Sequence, residues 1–78
     1  MLIEYLRDKN GSPVGVVVAL GKEDIGWSLC NKRDRFNKQR ALEIAVGRSY
    51  KRSISDTKPV TILPLFNKVY ARAQKYFK

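Results

Sequence analysis

The residues best equipped for chemistry lie in one block, Gly26-Trp27-Ser28-Leu29-Cys30-Asn31-Lys32-Arg33-Asp34-Arg35-Phe36. The block reads as a strand end, a turn and a helix start. Backbone N–H groups at a helix N-terminus attract anions, and Lys32, Arg33 and Arg35 surround that point. The chemistry this implies is phosphate binding. The competing reading is that Asp34 caps the helix and the three cations are solvated surface. A second group, Arg48, Lys51 and Arg52, encloses Tyr50. An aromatic inside a basic run suits a nucleotide base with its phosphate, and equally a tyrosine covering a sheet edge. Trp27 can stack on a base, but it shares its strand face with Ile25 and Leu29, which favours core packing. Lys68, Arg72 and Lys75 recur at helical spacing and form a secondary basic face.

Catalysis finds little support in the same residues. The chain has no histidine, so neither Cys30 nor Ser28 has the usual adjacent base that would activate it. Asp34 and Glu43 fall on different faces of one predicted helix and make neither an acid/base pair nor a metal site. There is no Gly-rich phosphate loop. The sequence therefore predicts a non-enzymatic binder without cofactor or metal. Cys30 is the single cysteine, which rules out an internal disulfide and points to a reducing, cytoplasmic setting. No signal peptide is evident. The longest apolar run, Val16 to Leu20, is far too short for a bilayer span, and no membrane partner is expected.

Charge is partitioned along the 78 residues. In residues 1–31, Arg7, Lys9 and Lys22 are balanced by Glu4, Asp8, Glu23 and Asp24. Residues 32–52 carry eight cations against only Asp34 and Glu43, and no acid follows Asp56. The net charge of +9 favours an anionic partner and opposes self-association unless an anion neutralises it. A single domain over residues 1–78 buries a modest core, so stability must come from tight packing or from a homo-oligomer.

The elements that must position these residues follow from periodicity. Leu2–Arg7, the valine-rich Val14–Leu20 and the alternating Ile25–Cys30 read as three strands, separated by turns at Lys9–Pro13 and Gly21–Asp24. Ala41, Leu42, Ile44, Ala45 and Val46 mark a helix that begins near Arg35 and ends near Gly47, or uses Gly47 for a close packing contact. Residues 49–59 read as a loop. Ile62, Leu65, Phe66, Val69, Ala73, Tyr76 and Phe77 mark a second helix, with Thr61 as its cap and Pro64 in its first turn. The predicted fold is α+β: a three-stranded antiparallel meander followed by two helices packed on one face of the sheet.

The pieces Gly-Trp-Ser-Leu-Cys-Asn, Asp-Arg-Phe-Asn-Lys and Ile-Ala-Val-Gly-Arg, within Ile25 to Arg48, resemble a block of a small uncharacterised bacteriophage protein family. The resemblance covers about a third of the chain and implies a phage or prophage origin, but carries no established activity. The predicted architecture also resembles the DNA-binding domains of the AP2 type and the arm-binding domains of phage integrases. Those lay their sheet in the major groove, whereas the cations here follow the sheet. The leading expectation is a protein that engages phosphate-bearing ligands, nucleic acid first, through Lys32, Arg33, Arg35, Arg48, Lys51 and Arg52. The alternatives are counter-defence roles: an oligomeric sponge for a nucleotide signal, or an inhibitor docking on a host protein.

Overall fold

The computed structural model describes residues 1–30, 36–50 and 58–77. Strand β2 (Pro13–Ala19) is central, paired antiparallel with β1 (Leu2–Arg7) on one side and β3 (Ile25–Leu29) on the other. Its run of β-branched valines suits a strand that never meets water, and Val16, Val17, Val18 and Ala19 are all fully buried. The β1–β2 turn is built on Asp8, whose Oδ1 accepts the N–H groups of Asn10 and Ser12 at 2.9 Å each. Gly11 supplies the positive φ, +81°, that the turn needs. The predicted meander is present, with strand bounds within one residue of expectation.

The helices do not share a sheet face, contrary to expectation. Helix α1 (Lys38–Tyr50) covers the face formed by Val16 and Val18, through Ala41 and Ala45. Helix α2 (Leu63–Tyr76) covers the opposite face, where Val17, Ala19 and Ile25 pack with Ile62, Phe66, Val69 and Ala73. Successive residues of β2 point to opposite faces, so an unbroken apolar run needs a cover on each side. The result is three layers, helix, sheet and helix. A sheet covered on both faces cannot be laid in a DNA groove, which removes the AP2-like and integrase-like mode.

Helix α1 starts later than expected. Asn37 Oδ1 accepts the Arg40 N–H at 3.1 Å and caps the helix. Asp34, the expected cap, lies outside the described residues. The helix runs through Gly47 to Tyr50, and a Cβ on Gly47 would meet no described atom within 4 Å. The close contact belongs to Gly26. A Cβ there would fall 1.8 Å from the Ala45 carbonyl oxygen and 2.5 Å from the Ser49 nitrogen. Ala41, Ala45 and Ser49, spaced by four, are the buried residues of α1, and their small side chains let its backbone settle onto β3. Ser49 is fully buried, with its hydroxyl donating to the Val46 carbonyl at 2.6 Å. On α2, Pro64 occupies the first turn as expected, but the N-cap position is Ile62 rather than Thr61 and makes no side-chain cap bond.

These two glycines respond oppositely to one methyl group. Gly26→Ala forces α1 off the sheet and should cost about 3 kcal/mol or more. Gly47→Ala removes a helix-interior glycine in open space and should gain roughly 0.5–1 kcal/mol. Urea unfolding followed by the fluorescence of Trp27, the single tryptophan, measures both.

Candidate anionic-ligand surface

The described cations fall into two kinds, those engaged by the fold and those left to solvent. Arg48 belongs to the first. It leaves α1 on the side of β3 and reaches round that strand, which is an edge of the sheet. Its Nη1 donates to the Trp27 carbonyl at 2.8 Å, and its guanidinium lies 4.1 Å from the centre of the Trp27 ring. The Trp27 side chain is half-buried beside the α2-side core. One residue thus occupies an edge carbonyl and one face of the indole together. The core-packing reading of Trp27 agrees with this placement. Arg48 was expected in the phosphate set and is found committed to Trp27.

Tyr50 ends α1 and is 74% exposed. It borders a shallow, open groove along α1 that is lined mainly by Leu42, Val46 and Gly47, with Lys38 and Glu43 at its rim. Phe36 is turned inward and meets Tyr5 edge-on, with ring centroids 6.4 Å apart. Lys32, Arg33, Arg35, Lys51 and Arg52, the rest of the expected phosphate set, lie outside the described residues.

Lys68, Arg72 and Lys75 are all exposed on one flank of α2. Their spacing of four and three puts them on one stripe, and a rise of about 1.5 Å per residue spreads that stripe over about 10 Å. The helix carries no acid. The nearest acid contact comes from β1, where Glu4 accepts a hydrogen bond from Arg72 and forms an ion pair with it. This bond fixes which way the stripe points: the basic flank of α2 overhangs β1. The opposite flank is anchored at the far turn, where Gln74 Nε2 donates to the Lys22 carbonyl at 2.7 Å.

The chain matches no protein-family model, no curated protein and no solved structure. Residue chemistry alone therefore carries the functional argument. Among the described residues, no helix is long and apolar enough to cross a membrane, and no group of three or more His, Cys, Asp or Glu could hold a metal ion.

Two lysines near these surfaces escaped the sequence reading. Lys38 lies 4.8 Å from the Tyr5 ring centre and Lys58 lies 4.2 Å from that of Phe66. Lys38 and Tyr5 are distant in sequence, and no local pattern joins them. Lys58 precedes Phe66 by eight residues across the α2 N-terminus, which helical periodicity does not bridge.

The structural role of Arg48 makes a specific prediction. Arg48→Ala should cost about 1–2 kcal/mol, from the lost carbonyl bond and the lost cation–π contact, and should alter Trp27 emission. Arg48→Lys should recover less than half of that, because an ammonium does not reproduce the planar stack. Thermal unfolding and emission spectra of the two variants check this.

Proposed function

We propose that this protein is a non-enzymatic binder of phosphate-bearing ligands, nucleic acid first. The observation that carries the reading is the α2 flank: Lys68, Arg72 and Lys75 face solvent in one stripe on a helix without an acid. In this reading Lys32, Arg33, Arg35, Lys51 and Arg52 make phosphate contacts of their own. Arg48 serves the fold instead. Binding proceeds by neutralising phosphates and releasing their counterions, with no base-reading motif in the sequence. Affinity is then broad in sequence preference and steep in salt dependence.

Tyr50 is the aromatic residue this reading assigns to stacking, since Trp27 already carries a guanidinium on one ring face. A base on Tyr50 would lie at the end of α1, next in sequence to Lys51 and Arg52. That order, aromatic then cations, suits an unpaired base and the phosphates that flank it.

The test is a titration of fluorescein-labelled oligonucleotides, single-stranded and duplex, across a salt series. The wild-type chain should lose affinity linearly in log–log form. Lys68→Ala combined with Lys75→Ala should lower that slope by about 1.4 for single strands and about 1.8 for duplex. Both side chains are exposed, so the melting temperature should stay within a few degrees. An unchanged slope would remove α2 from the binding surface.

A further inference from the structure

The two edges of the sheet are finished differently, and the difference points to a binding surface. In an antiparallel ladder each residue turns its N–H and C=O to the same side. Cys30 N–H bonds the Val14 carbonyl and Leu20 N–H bonds the Asp24 carbonyl, so Val14, Val16, Val18 and Leu20 address β3. Gly15, Val17 and Ala19 therefore address β1, through Leu6, Glu4 and Leu2. Ile3 and Tyr5 are left with their backbone groups pointing outward. At the β3 edge, Arg48 takes the outward carbonyl of Trp27. At the β1 edge, no described residue bonds Ile3 or Tyr5 outward.

The walls on either side of the β1 edge differ in chemistry: aromatic and apolar on the α1 side, where Phe36 and the Lys38 ammonium also meet Tyr5, and cationic on the α2 side. On the α1 side, Ile3 and Tyr5 are partly exposed, and Leu42 and Val46 pack into the same apolar cluster as Tyr5. Helix α1 is drawn toward β3 by Gly26, and among the described residues this side of β1 is only partly covered. On the α2 side, the basic flank overhangs β1, fixed there by the Arg72–Glu4 ion pair. A strand added beside β1 would present alternate side chains to an apolar wall and to a cationic one.

We propose that the β1 edge accepts an extended acidic segment of a partner protein, in which apolar and acidic residues alternate. It adds antiparallel as a fourth strand, with backbone hydrogen bonds to Ile3 and Tyr5. Its apolar residues lie beside Ile3 and Tyr5, and its acids face Lys68 and Lys75, with Arg72 shared between Glu4 and the acid opposite it. Charge complementarity selects this occupant over a second copy. Pairing β1 with itself would bring two basic α2 flanks together in a chain of net charge +9. The proposal draws on the same α2 cations as the nucleic-acid reading, and its readout, the backbone of β1, distinguishes the two.

The probe is a capped eight-residue peptide of alternating glutamate and valine, titrated into the 15N-labelled full chain. The amides of Ile3 and Tyr5 should gain protection from hydrogen exchange on saturation. A peptide with lysine in place of glutamate should not bind. In the antiparallel register the valines, opposite Ile3 and Tyr5, point their N–H groups at β1, while the glutamate N–H groups point away. N-methylation of the valines should therefore weaken binding about tenfold or more, and N-methylation of the glutamates should leave it near the parent. Any other ranking of these two peptides overturns the proposal. So does protection of Ile3 and Tyr5 by an oligonucleotide in place of the peptide, or protection before any peptide is added together with a dimer in sedimentation.

Discussion

The approach of α1 to the bare backbone of Gly26 is the constraint on which the rest of the arrangement depends. A side chain there would collide with the carbonyl of Ala45, so only glycine lets the helix reach β3. The row Ala41, Ala45, Ser49 answers from the helix side. Small surfaces on both partners replace bulk with proximity, which gains dispersion contacts but tolerates no added volume. Because the contact is made at an edge strand, α1 is displaced from the middle of the sheet. That displacement brings Arg48 within reach of Trp27 and leaves the same face of β1 partly open.

The strands were legible in the sequence, and the layering was legible only in part. Val14–Leu20 reads as a strand in the sequence, and its continuous apolar run is physically consistent with covers on both faces. The expectation of both helices on one face fails because β2 buries apolar side chains on both sides of the sheet. Alternation in Ile25–Leu29 did separate the faces correctly: Ile25 packs toward α2, while Gly26 lies against α1. What the sequence could not show is the meaning of Gly26. A lone glycine in a strand signals a bulge or a close approach, and only the partner helix decides between them. Gly47 attracted that explanation because it lies on a helix, yet it faces open space.

The candidate surface was legible as charge and illegible as availability. Sequence counts each arginine once, whatever it touches. Arg48 lies on the β3 side of α1, where an edge carbonyl and an indole face compete for it against any ligand. Arg72 is shared with Glu4, a residue 68 positions away. Lys68 and Lys75 hold no such partner among the described residues and are the clearest cations for an anion to meet. The stripe at spacings of four and three was visible beforehand, since helical periodicity is local. The pairing that orients it over β1 is long-range, and no local pattern encodes it.

Edge strands expose proteins to unwanted pairing, and this sheet solves the problem twice. Arg48 blocks β3 by occupying a backbone acceptor, a short-range device that ionic strength affects little. The edge of β1 lacks such a block among the described residues, and the charge of the α2 flank opposes the pairing of two copies there. Charged side chains are a common guard for such edges, and here the guard is carried by α2 above the strand, where it repels another copy without filling the edge. A guard of this kind would discriminate by charge, opposing a second basic surface and accepting the acidic segment proposed above. Under the proposals above, the repulsion between copies at +9 and the attraction of anionic partners would have one physical origin.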